Sequence, residues 1–230
     1  MKQCNAPEHQ RPRPLLLIAC ATALAVAFTV SLLQPAHAAH VTPPRVPPNI
    51  QVPAENKAFL EGHGVGTQNY ICLPSGSGFA WILFTPQATL FTDHHQQVTT
   101  HFFSPNPFEK NANPGVVADG IVRATWQDSR DTSTVWGQVK PGNSSSDPKF
   151  VAPGAIPWLL LDVAGVQDGP TGGHTLTATT FIQRVNTAGG VAPSTGCSAS
   201  TDVGNKAFIP YAADYFFYKK AVDSDADDDH

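Results

Sequence analysis

Charge is scarce in this sequence. Asp, Glu, Lys and Arg make up 14% of it, against about 25% in an ordinary soluble domain. Methionine occurs once, and no amphipathic helical run longer than ten residues follows the N-terminal segment. A helical protein is therefore not expected. No basic stripe is present to displace counterions from phosphate, which argues against a nucleic-acid partner. The G-x-S-x-G elbow and the H-E-x-x-H and H-x-H zinc patterns are missing, so nothing rises to a catalytic signature.

Breakers, by contrast, are plentiful, with 21 Pro and 18 Gly. Short strands joined by turns fit that composition. Residues 1–38 read as a secretory leader. Arg11 and Arg13 supply the positive start, Leu15 to Leu33 is almost wholly apolar, and Ala36-His37-Ala38 is a small-x-small cleavage site. The apolar run could nearly span a bilayer, but the cleavage site and the prolines after it favour removal. Leu17-Ile18-Ala19-Cys20 matches a lipoprotein box, but the apolar stretch before it is too short to work as one. Without the leader 11 basic and 17 acidic residues remain, a net charge of −6. Five of those acids lie in the last eight residues, so residues 221–230 read as an acidic, disordered tail. The expected location is the periplasm or the extracellular space, with no stable membrane span after cleavage. The oligomeric state is left open.

Cysteine use agrees with export. Cys4 and Cys20 leave with the leader, and Cys72 and Cys197 remain as an even pair. In an oxidising compartment they are expected to form a disulfide.

Along the chain, residues 39–53 form an extended, Pro-rich lead-in. Val52 to Leu60 is expected to make a short helical turn. Glu61-Gly62-His63-Gly64-Val65-Gly66 reads as a turn before a strand, since the strand–helix context of a phosphate cradle is missing. Strands are expected over 67–72, 79–84 (ended by Pro86), 88–91, 98–103, 121–127, 134–139, 156–163 and 176–186, with a brief pairing at 207–210 and a closing strand over 214–219. The total is about nine short strands within residues 54–220. The fold class that follows is all-β: one domain, an antiparallel β-sandwich or partly closed barrel.

Four strings carry a resemblance. They are Tyr70-Ile71-Cys72, Ala155 through Leu161, Phe181 through Cys197, and Ile209 through Tyr218; Ala124-Thr125-Trp126-Gln127-Asp128 adds a Thr-Trp-acid stretch. Over about residues 60–218 the chain resembles a family of exported bacterial and fungal proteins catalogued as a domain of unknown function. That resemblance implies no activity to transfer. The stretch from Ser104 to Arg123 departs from the family's shorter members.

Candidate functional residues come from strand positions where polar groups are out of place. Arg184 is flanked by Ile182 and Val185, and Asp214 opens an aromatic strand. Charges so placed are paired or functional. One reading is a salt bridge between them that fixes the sheet. The other is a polar floor to a cleft lined by His101, Trp126, Tyr211 and Tyr215, suited to a sugar or another small organic ligand. The candidate ligand-binding set is thus His101, Trp126, Arg184, Tyr211, Asp214 and Tyr215. No metal and no cofactor is expected, and the histidines (His40, His63, His94, His95, His101, His174 and His230) are expected in turns and core. The first functional expectation is a non-catalytic exported module that binds a small molecule or carbohydrate, or serves the cell envelope. The alternative is an exported hydrolase or lyase, with His101 as general base and Arg184 holding an anionic group.

Overall fold

The computed structural model describes residues 41–110 and 120–221. The expected leader, His40, His230 and all but the first residue of the acidic tail lie outside them. The described chain forms eight strands: β1 Asn56–Ser75, β2 Gly78–Phe91, β3 Gln97–Asn106, β4 Ile121–Asp128, β5 Thr134–Ser145, β6 Trp158–Gln167, β7 Phe181–Gly189 and β8 Lys206–Lys220. Each pairs antiparallel with the next, and β8 returns to pair with β1, so the sheet closes as a barrel in sequence order. Among the described residues no helix is long and apolar enough to cross a membrane.

The all-β, antiparallel class is as expected, in its barrel form. The strands are fewer and longer than the local signals suggest. β1 takes in residues 56–60 of the expected helical turn and the whole glycine run, and residues 52–55 before it are not helical; the short helical turn that does form among the described residues lies at Pro48–Ile50. β2 runs through Pro86, because its ladder to β3 begins only at Ala88↔His101. A proline there costs no bond to β3. β8 joins the two segments expected at 207–210 and 214–219. β7 begins only at Phe181, so residues 176–180 of the expected strand are loop, with Leu176 buried.

Alternation decides which side chains go inside. In β8, Tyr211, Ala213, Tyr215 and Phe217 pack with Leu90, Trp126, Val135, Leu161 and Ile182 in one core cluster. The intervening Phe216 and Tyr218 join a second cluster with Trp158, Leu160, Val185 and Ile50. This is the period-two pattern of a strand buried on both faces. The Pro-rich lead-in covers that second face. Val41, Val46 and Val52 pack on it, and Gln183 Nε2 donates to Ile50 O at 2.7 Å. Asn49 Nδ2 donates to the carbonyls of Gly142 and Ser144, both at 2.8 Å.

The Cys72–Cys197 disulfide forms as expected, with a Cα–Cα distance of 5.5 Å. It ties the loop between β7 and β8 to the β1–β2 hairpin. Gly204 N–H donates to Cys72 O, and Cys72 N–H to Asn205 O, alongside it.

Candidate functional site

The glycine run places the site. Gly62, Gly64 and Gly66 alternate with Glu61, His63 and Val65 along β1. A Cβ on Gly62 would sit 2.9 Å from Leu90 Cβ, and one on Gly64 2.8 Å from Tyr215 Cε2. The glycines therefore face inward and leave room for the side chains of β2 and β8. Two residues further on, Gln68 is buried inside the barrel at 2% exposure.

Next to this wall is a cavity of about 160 Å³. Leu83, Pro86, Phe103, Val139, Leu159 and Leu161 supply apolar lining, and Gln68, His101, Trp126, Arg184 and Tyr215 supply the polar atoms. Four of the six expected residues thus meet in one place: His101, Trp126, Arg184 and Tyr215. Tyr211 lies just behind them, its hydroxyl 3.1 Å from that of Tyr215.

Asp214 is elsewhere, and the expected Arg184–Asp214 pairing does not form. Arg184 is the register partner of Tyr215, and Asp214 is that of Val185. Neighbours along a strand point to opposite faces, so Arg184 looks inward and Asp214 outward. On the outer face Asp214 Oδ1 meets His63 Nδ1 at 2.7 Å, and Asp93 Oδ1 meets His63 Nε2 at 2.8 Å. Asn186 Nδ2 donates to Asp214 Oδ2 at 2.7 Å. The bond to Asp214, with help from Asp93, holds the His63 imidazole above its ordinary range against the opposing effect of burial. Ligand atoms of Glu61, His63 and Asp214 lie within 4.8 Å of one another, but both ring nitrogens of His63 are already bonded to carboxylates.

Inside, His101 stacks on Trp126 with ring centroids 4.1 Å apart and planes 8° from parallel. Its Nδ1–H donates to Thr125 O at 2.9 Å, which leaves Nε2 as the acceptor nitrogen of a neutral ring. Burial lowers its pKa to about 3; the Arg184 charge adds to the shift and the Thr125 bond opposes it. Burial pushes the Tyr211 and Tyr215 phenols up.

The electrostatics of the cavity are one-sided. Among the described residues no carboxylate lines it and no acid forms an ion pair with Arg184. Arg184 Nη2 donates to Pro157 O at 2.8 Å, and its charge is felt by Tyr70, His101, Tyr211 and Tyr215. Three wall residues carry a buried N–H that no protein acceptor meets: Gln68 Nε2, Trp126 Nε1 and Arg184 Nε. Gln68 comes close to the Tyr211 hydroxyl and Arg184 to that of Tyr215, yet neither Gln68 Nε2 nor Arg184 Nε makes a hydrogen bond of good geometry. Unmet buried donors cost about 1–3 kcal/mol each, and three around one cavity are a concentrated deficit.

The cavity also has a seam beside it. Beyond Ala88↔His101 the β2–β3 ladder stops, and Phe103 N–H turns to the Thr85 hydroxyl at 3.1 Å instead. A groove outside this seam, lined by Val65, Gln87 and Phe102 among others, shares Pro86 and His101 with the cavity.

A family described as a protein of unknown function (DUF3455) matches residues 53–219. The chain belongs to this family. The match begins just before β1 and ends one residue short of the end of β8, so the DUF3455 unit is the barrel; the Pro-rich lead-in that covers its outer face precedes the matched span. No curated protein and no solved structure matches the chain.

Gln68 and His63 are the two residues that sequence reasoning missed. Each sits on the glycine run or directly after it. The period-two spacing Gly62, Gly64, Gly66, Gln68 is the signal that identifies both the strand and its inward face.

Proposed function

We propose that this member of DUF3455 is an exported binding protein that takes a small molecule into its barrel, and that it is not a hydrolase. One observation carries the reading: Gln68, Trp126 and Arg184 line one cavity and each holds a buried N–H without an acceptor. Buried polar groups are satisfied by protein, water or ligand. A ligand oxygen supplies what the protein withholds. Eight-stranded barrels have an interior of the size that holds one small ligand. The disulfide and the sequence of residues 1–38 support action after export.

The hydrolase reading is weaker. A general base works best with a pKa near the operating pH, and His101, at about 3, is a poor base. Among the described residues no carboxylate orients it; its Nδ1 is held by a backbone carbonyl. A carbohydrate is also disfavoured, because its many hydroxyls need acceptors and this wall offers mainly donors.

A thermal-shift screen of small acceptor-bearing compounds tests the reading. Wild-type protein is expected to gain several degrees with at least one of them. Ala124→Leu, which fills the cavity from β4, is expected to gain none. Turnover of an ester or amide substrate that vanishes in His101→Gln would overturn the proposal.

A further inference from the structure

Resting on that reading, we infer that the occupant is a compact monocarboxylate with a single ring or a short branched chain as its body. Charge is the first reason. Arg184 is a cation at the cavity wall without a carboxylate partner among the described residues. Arg184 is half-buried with its Nε enclosed; a partly desolvated charge without a counter-charge is unfavourable, and a carboxylate is the group whose geometry a guanidinium matches best. The indole N–H of Trp126 and the amide of Gln68 belong to the same wall and add donors for its oxygens.

Size is the second reason. The cavity is about 160 Å³, while pockets for drug-sized ligands run to roughly 300–1,000 Å³. An engineered apolar cavity of about 150 Å³ takes benzene. One ring or a branched chain of a few carbons fills this space. The lining is the third reason. Leu83, Pro86, Phe103, Val139, Leu159 and Leu161 give the body of the ligand an apolar bed. That bed disfavours inorganic phosphate, whose charge is spread over all its oxygens, and a dianion would exceed the single cation that the described residues bring to the cavity.

The test is isothermal titration of the purified protein, at neutral pH, with benzoate, isovalerate, benzamide and inorganic phosphate. Arg184→Met and Ala124→Leu are titrated alongside the wild type. Either carboxylate is expected to bind wild type at least about tenfold tighter than benzamide or phosphate. Arg184→Met is expected to lose that preference while still binding benzamide, and Ala124→Leu to lose both. Circular dichroism confirms that each variant is folded; should Arg184→Met fail to fold, the wild-type ranking of benzoate over benzamide decides alone. Benzamide bound as tightly as benzoate overturns the carboxylate assignment and leaves interior binding standing. Phosphate bound more tightly than either carboxylate overturns it as well. No binding of any probe by wild type overturns the inference; Ala124→Leu unchanged in binding would overturn the interior reading beneath it.

Discussion

His101 is enclosed by Trp126, Tyr215 and the Thr125 carbonyl, and it stays neutral down to a pH of about 3. Its unfolded-state value is near 6.5. Between these two values the unfolded chain binds a proton that the folded one refuses, so stability falls as pH drops through that window. His63 works the other way. Its folded value is raised by Asp214 and Asp93. Its contribution is complete below the unfolded value of 6.5 and is lost as pH rises through the folded one. Urea unfolding across pH is therefore expected to show acid sensitivity that His101→Phe reduces. It is expected also to show a smaller alkaline loss that His63→Gln removes. An unchanged acid limb in His101→Phe contradicts the placement of that ring. Sequence alone could not separate these two histidines. His63 lies in a run that reads as a turn and His101 in one that reads as a strand, and only the register shows where each faces: His63 opposes Asp214 across β1 and β8, and His101 opposes Trp126 across β3 and β4. Register also decides Arg184 against Asp214: both look like buried charges in the sequence, and a one-residue difference in register sends them to opposite sides of the sheet.

At the scale of elements, β1 is a strand of 20 residues in which glycines make room for the side chains of its neighbours. Gly66 approaches the backbone of β2, and a Cβ there would collide with the Gln87 carbonyl oxygen. Gly64→Ala would instead press on the Tyr215 ring. Gly66→Ala is expected to lose about 3 kcal/mol or more, since backbone cannot step aside, and Gly64→Ala about 1–3 kcal/mol, the range for overpacking. Denaturant midpoints measure both, and Gly66→Ala proving as stable as wild type would contradict the register of β1 on β2. Three glycines in six residues read locally as a turn, which is why this strand is hard to see in the sequence. Its glycines are there for close approach and not for chain reversal. Pro86 misleads in the same way: it stops a strand only where a ladder bond is needed, and β3 does not reach it. The strand segments rich in Trp, Tyr, Phe, Ile and Val were legible, because alternation there is strong and turns bound them.

For the whole molecule, closure of β8 on β1 is the step that no local pattern announces. It joins Asn56 with Lys220 and Ile71 with Lys206, residues far apart in the chain. Its covalent counterpart, the disulfide between cysteines 125 residues apart, was legible because only two cysteines remain after the expected leader. Cys72→Ala with Cys197→Ala is expected to cost about 2–5 kcal/mol, the usual loss for a native disulfide. Reducing agent is expected to lower the melting temperature of wild type and leave the double variant unmoved. The four cavity residues were grouped in the sequence because each is an aromatic or a charged residue inside a segment that reads as a strand. Their cavity could not be foreseen, since its volume depends on how eight strands close.

The central claim is that the barrel interior holds an acidic ligand against Arg184 and Trp126, and side-chain nuclear magnetic resonance reads it directly. In nitrogen-15-labelled protein the Trp126 Nε1–H and Arg184 Nε–H signals are assigned by comparison with Trp126→Phe and Arg184→Met, then followed during titration with benzoate. The account predicts that both signals move together and saturate, while the indole signals of Trp81 and Trp158 stay in place. Saturating benzoate that leaves both signals where they began would contradict it.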